Sequence, residues 1–248
     1  MLHKSLITYL TAGYPTLREH YKYLSLLAEY SDVIELGVPF SDPMADGKTI
    51  EMASRKVLKH RFNINQVFEI IRKFKREHDI PLILMSYYNP IYRRGLKDFI
   101  EEAKTVGVDG MLVVDLPPEY AGDYVSFARE EGIKTVFLVS LNTPHKRISK
   151  IDDITTGFIY LVSRYGTTGA KNDLHPMLIT MIKKLKSTCK NKIAVGFGVS
   201  KGEQAQKIIK AGSDGVVVGS ILLDIIEEEK SYKKLQEKLE ELRRGIKS

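Results

Sequence analysis

The sequence predicts an α/β chain folded as a single (β/α)8 TIM barrel over residues 1–248. Short β-branched apolar runs alternate with amphipathic helical stretches from one end to the other. Eight such runs occur, the number that closes a barrel. No Pro/Gly/Ser-rich linker or low-complexity stretch interrupts the series, so one core serves the whole length.

In chain order, LITYLT (6–11) reads as the first strand, followed by helical periodicity over Leu17–Tyr30. VIEL (33–36) is the second strand, and a helical stretch over 65–77 leads to PLILMS (81–86) as the third. Helical periodicity over Leu96–Val106 precedes MLVV (111–114), and another stretch over 119–131 precedes TVFLV (135–139). FIYLV (Phe158–Val162) is the sixth strand, a helix follows over 175–188, and IAVG (193–196) is the seventh. A helix over 201–211, the short strand VVV (216–218) and a long helix over 221–242 complete the series.

Composition excludes several functions. The charge is 38 − 31 = +7 with a pI near 9.2, but the densest charged runs, 72–78 and 227–247, mix both signs like solvated helix faces. Without a basic stripe, nucleic-acid binding is not expected. The single cysteine, Cys189, excludes a disulfide framework and any multi-cysteine metal site, and six dispersed His show no metal-ligand spacing. No apolar run reaches the ~18 residues of a membrane span, so a cytoplasmic protein is expected.

A doubly wound open sheet would also alternate strands and helices, but it asks for a Gly-rich phosphate fingerprint after its first strand. Here Ala12-Gly13-Tyr14-Pro15 follows, with no G-x-G-x-x-G. The glycine turns fall late instead, at Gly196-Phe197-Gly198 after the seventh strand and Gly219-Ser220 after the eighth. Each alone reads more often as plain turn chemistry. On adjacent strands they point to a phosphate held on backbone N–H groups and a short helix. Gly166-Thr167-Thr168-Gly169 after the sixth strand reads either as further backbone donors or as a flexible loop.

Active sites of barrels sit at the carboxyl ends of the strands. Glu35 is the informative residue there, lying in DVIELG (32–37), where both strand faces are otherwise apolar. Such a carboxylate is either paired or left in low dielectric with a raised pKa, which suits a general acid near neutral pH. Asp42, Asp46 and Glu51 follow in a loop and helix start shaped by Pro43 and Gly47. Asp46 reads as a helix cap or as the second member of an acid–base pair. With no Cys or Lys nucleophile beside them, covalent and metal-assisted chemistry are disfavoured.

The run ELGVPFSDPMADG (35–47) resembles the signature of the tryptophan synthase alpha subunit family. TAGYP (11–15), SYYNPIYRRG (86–95), DGMLVVDLPPEY (109–120), GFIYLVSRYGTTGA (157–170), VGFGVS (195–200) and DGVVVGS (214–220) extend the similarity over nearly the whole chain. The resemblance implies a lyase of tryptophan biosynthesis that splits indole-3-glycerol phosphate into indole and glyceraldehyde 3-phosphate by a retro-aldol step. On this mapping Glu35 protonates the indole ring at C3 and then takes the glycerol hydroxyl proton, Asp46 accepts the indole N–H, and Tyr160 assists. The phosphate is expected at Gly169, Phe197, Gly198, Gly219 and Ser220. The indole slot is expected from Tyr9, Ile50, Met85, Leu112 and Leu138, each of which reads singly as barrel packing. Arg164 and Thr168 match a loop that closes over substrate, and Asp42, Pro43, Asn89 and Pro117 match a face toward a beta subunit in an α2β2 heterotetramer. The resemblance implies no metal and no cofactor in this chain, pyridoxal phosphate belonging to the beta partner. Loops 41–48 and 164–171 are expected to be open or disordered without substrate.

The sequence departs from the family pattern at Tyr14, where an acidic residue is common, and at Tyr165, which is bulkier than usual. Few residues precede the first strand, where the family often has a helix, so the bottom of the barrel is expected to close differently. Two alternatives stand beside the lyase: another phosphate-binding barrel enzyme of the same pathway, and a non-catalytic subunit that activates a partner.

Overall fold

The structure, a computed structural model, describes residues 2–162, 174, 176–196 and 198–248. Its strands are β1 (Ser5–Thr11), β2 (Val33–Gly37), β3 (Leu82–Ser86), β4 (Gly110–Val113), β5 (Lys134–Ser140), β6 (Phe158–Val162), β7 (Lys192–Gly196) and β8 (Gly215–Val218). They pair in parallel in chain order, and β8 returns to β1, closing the barrel. The helices around it are α1 (Leu17–Tyr30), α2 (Lys48–Leu58), α3 (Ile64–Glu77), α4 (Tyr88–Arg94), α5 (Leu96–Val106), α6 (Gly122–Glu130), α7 (His145–Ile154), α8 (Pro176–Thr188), α9 (Gly202–Lys210), α10 (Ser220–Asp224) and α11 (Tyr232–Lys247). The predicted barrel is therefore the observed one. Among the described residues no helix is long and apolar enough to cross a membrane.

Strand bounds agree with the sequence prediction to within a residue or two, and the larger differences lie in the helices. The stretch 119–131 is not one helix: a 3-10 turn, Pro118–Tyr120, precedes α6, and Ala121 at φ −89°, ψ 9° separates them. Two consecutive prolines supply no N–H to a helical ladder, so the chain turns before it winds. The stretch 221–242 divides into α10, a π-helical turn (Ile225–Glu229) and α11. Lys230 takes a left-handed φ of 46° at the break, and the Ser231 side chain caps α11 by accepting from Lys234 N–H at 3.3 Å. With no glycine at the break, the pattern alone reads straight through it. Helix α7 escapes periodicity because it buries only Ile148, Ile151 and Asp152, too thin a stripe to stand out.

At the amino-terminal end of the barrel one device recurs between paired strands. Asp32, just before β2, accepts Leu6 N–H of β1 at 2.8 Å and pairs with Arg243. Asp109, just before β4, accepts Leu82 N–H of β3 at 2.8 Å and Lys75 Nζ at 3.0 Å. Asp214, just before β8, accepts Ile193 N–H of β7 at 3.0 Å, with Lys186 and Lys192 at 2.9 and 3.1 Å. Between β5 and β6 the neutral Thr156 accepts Thr135 N–H at 2.9 Å in the same role. Each bond satisfies a strand-end donor beyond the reach of the ladder and ties the strands in pairs. The segment ahead of β1 adds Leu2, buried at this end within reach of Gly215.

Candidate active site

Residues paired across parallel strands share a face, so the register identifies what points into the barrel. The pairs Tyr9–Glu35, Gly37–Met85, Met85–Leu112, Leu138–Tyr160 and Tyr160–Ala194 place the strand residues of the expected site on one continuous inner surface. Glycine appears where the two tyrosines cross a neighbouring strand. A Cβ on Gly37 would collide with the Tyr9 ring, and one on Gly196 with the Tyr160 ring. These two positions let large phenols lie flat across the barrel mouth.

Glu35 is 2% exposed, and its Oε1 has no hydrogen-bond partner among the described residues. Burial, then repulsion by Asp46, pushes its pKa up to about 8. The paired reading of this carboxylate therefore gives way to the low-dielectric one. Asp46 is buried in the loop before α2, where burial raises its pKa to about 6, opposed by a hydrogen bond from Tyr87. It does not cap α2: the N-cap is Gly47, with no side-chain bond. Burial and the charges of Glu35 and Asp46 raise the hydroxyl pKa of both Tyr9 and Tyr160. Tyr9, Glu35, Asp46 and Tyr160 thus share one electrostatic pocket.

Tyr87 is the residue that sequence reading missed. Its hydroxyl donates to Asp46 Oδ1 at 3.0 Å and accepts the Ala45 N–H at 3.1 Å, stapling the loop inward. Its ring stacks on Phe40 at 5.0 Å between centroids, gripping the loop's first residues as well. The sequence predicts that loop 41–48 is open or disordered without substrate; the contacts of Tyr87 tie its residues Ala45 and Asp46 to the residue that follows β3. The available signal was an aromatic residue directly after the third strand, inside SYYNPIYRRG.

Around this pocket Tyr9, Met85 and Leu112 are buried, while Ile50 on α2 and Leu138 on β5 are half-buried. Gly198 follows β7, and Gly219 and Ser220 form the start of α10, whose first turn closes on the Gly219 carbonyl through Leu222 N–H at 2.9 Å. Gly169, Phe197, Arg164 and Thr168, with the loop 164–171, lie outside the described residues. Asp42, Asn89 and Pro117 are exposed and Pro43 is half-buried, on the successive connections after β2, β3 and β4, Asn89 lying in the first turn of α4. Met44, Tyr92 and Tyr120 on the same three connections are 92%, 69% and 81% exposed, a large apolar presentation on one sector of the rim.

A family model for the tryptophan synthase alpha chain matches residues 2–248. The tryptophan synthase alpha chain of Pyrococcus abyssi is 52% identical over 240 residues, covering 96% of this chain and 97% of that one. Its counterpart from Thermococcus kodakarensis is 49% identical over 242 residues, covering 98% and 94%. Among solved structures, a chain of the tryptophan synthase α2β2 complex of Pyrococcus furiosus superposes with a TM-score of 0.92 at 50% identity, covering 97% of this chain and 98% of that one. A match along essentially the whole barrel, loops included, leaves no room for a neighbouring barrel family: the chain belongs to the tryptophan synthase alpha chain family.

Proposed function

We propose that this chain cleaves indole-3-glycerol phosphate to indole and glyceraldehyde 3-phosphate, with Glu35 and Asp46 as the working carboxyl groups. The observation that carries the assignment of roles is the split between their environments. At neutral pH Glu35, with a pKa near 8, holds a proton, and Asp46, with a pKa near 6, has lost its own. Glu35 donates its proton to indole C3, and Asp46 accepts a hydrogen bond from the ring N–H, stabilising the positive charge that develops on the ring. The Glu35 carboxylate then takes the proton of the glycerol hydroxyl. As that O–H bond breaks, the new carbonyl forms, the carbon–carbon bond to C3 breaks, and its electron pair restores the indole ring. Glu35 ends as it began, protonated. Tyr160 lends its hydroxyl beside this shuttle, and Tyr87 orients Asp46 without touching substrate.

Gly198, Gly219 and Ser220, with Gly169 and Phe197, hold the phosphate, chiefly through backbone N–H groups at the start of α10. Tyr9, Ile50, Met85, Leu112 and Leu138 form the slot for the ring, and Arg164 and Thr168 close over it. The cleavage transfers only protons, so this chain needs no cofactor; pyridoxal phosphate belongs to a beta subunit. That subunit docks against Asp42, Pro43, Asn89 and Pro117 in an α2β2 heterotetramer, in the cytoplasm. The apolar presentation of Met44, Tyr92 and Tyr120 supports this face.

The test is indole release from indole-3-glycerol phosphate by the purified chain, with and without the beta subunit. Indole is expected in both cases, with a higher kcat in the complex because partner contacts hold the Asp46 loop in its working position. No indole from the chain in either state would refute the assignment.

A further inference from the structure

Two elements of the site that are remote in sequence are joined by side chains that the chemistry does not use. The loop that carries Asp46 ends at Gly47 and runs directly into α2, which carries Ile50. The segment 220–229, starting with Ser220 at the phosphate end, runs through α10 and the π-helical turn. Thr49, in the first turn of α2, donates its hydroxyl to Asp224 Oδ1 at 2.9 Å. Near the other end of α2, Lys56 reaches both carboxylate oxygens of Glu227, at 3.0 and 2.8 Å. Tyr14 donates to the same carboxylate from the loop after β1, and the Lys56 ammonium lies 5.5 Å from its ring centroid. Thus α2 is fastened near both ends to the segment that begins at Ser220, one of the residues proposed above to hold the phosphate. Tyr14, noted above as a departure from the family pattern, belongs to this fastening.

We infer that the Thr49–Asp224 hydrogen bond is a positioning contact that couples phosphate occupancy at Gly219 and Ser220 to the placement of Asp46 against the indole ring. A phosphate on the first turn of α10 fixes that short helix, and the bond at its last residue passes the constraint to the first turn of α2. Only Gly47 and Lys48 stand between Thr49 and Asp46. Coupling between two ligands needs such a physical connection and is reciprocal between them. The inference rests on the phosphate and indole placements proposed above.

The chain contains no Trp, so the fluorescence of added indole reports its own binding to the full-length protein. Indole affinity is measured with and without saturating glycerol 3-phosphate. In the wild type the phosphate ester is expected to tighten indole binding by about tenfold, within the usual range of coupling between sites. Thr49→Val, and independently Asp224→Ala, should bring that factor below about twofold while indole affinity without the ester stays unchanged. Thr49→Ser and Asp224→Asn keep the donor and the acceptor and should keep the factor. Wild-type coupling in both Thr49→Val and Asp224→Ala would overturn the inference, as would equal weakening of both ligands with the factor intact. A wild type that binds both ligands without coupling would overturn it too. Failure of the wild type to bind glycerol 3-phosphate at all would remove the phosphate placement itself, and the inference with it.

Discussion

At the amino-terminal end of the barrel Asp32, Asp109 and Asp214 each accept a backbone N–H and face a cationic side chain, whereas at the carboxyl end Glu35 has an oxygen with no partner among the described residues. The contrast shows in their ionisation. The hydrogen bonds and lysines around Asp214 hold its carboxyl below the usual range despite partial burial, while burial of Glu35, reinforced by Asp46, drives its carboxyl up. The same functional group ties strands together at one end and, at the other, is held protonated near neutral pH, as the proposed acid role requires. What differs is whether the fold supplies donors to the charged form. Stability and chemistry are therefore written on opposite ends of the same strands, as barrels permit.

The largest expected effect tests the functional end. Glu35→Gln should lower indole formation by at least about 100-fold, the loss of a general acid–base group, and retention of a tenth of the activity would break the assignment. The same change should leave the fold more stable at alkaline pH. The folded pKa of about 8 lies above the ordinary 4.5, so the wild type loses stability as pH rises through that window, while Gln loses none. Denaturant midpoints of the two proteins should agree near pH 4 and diverge up to pH 8, by about 1.4 kcal/mol for each pKa unit at most.

The structural end should answer in the opposite sense. Asp214→Ala removes the acceptor of Ile193 N–H and the partner of two lysines, and should cost about 2–3 kcal/mol of stability with kcat unchanged within about twofold. Its folded pKa lies below 3.8, so this contribution is present above that pH and is lost as pH falls through the folded value. Wild type and variant should therefore converge in acid. A variant that unfolds like the wild type at pH 7 but loses activity would erase the division between the two ends.

The smallest effect sharpens the comparison inside the site. Tyr87 gives Asp46 a donor to its charged form, whereas Glu35 Oε1 has none among the described residues. Tyr87→Phe removes that donor, so the pKa of Asp46 should rise above about 6 and the acid limb of the rate profile should move to higher pH. The alkaline limb near pH 8, set by Glu35, should stay in place, with kcat falling by about tenfold as Asp46 loses its orientation. A profile that only scales down, with both limbs unmoved, would mean that Tyr87 packs the loop without tuning it.

The strands, most of the helices and the candidate acid were legible in the sequence because each depends on local order. Alternation of apolar runs gives the barrel, and a carboxylate inside an apolar strand has few places to go. Motif resemblance chose between the two local readings of Asp46 and added Tyr160, which no local rule singles out. Contacts across many residues decided the rest. Tyr87 meets Asp46 across 41 positions and Thr49 meets Asp224 across 175, and neither pair leaves a mark on periodicity or spacing. The break at Lys230 was hidden for a related reason, since tertiary packing imposed a left-handed residue where no glycine announced one. By itself the sequence determined which residues face inward along each strand, because side chains alternate with a period of two. Only the closed barrel decided which of those inward groups meet, and so which carboxyl group is paired, which keeps its proton and which loop is held against it, because pKa and position both follow from neighbours that the linear order keeps apart.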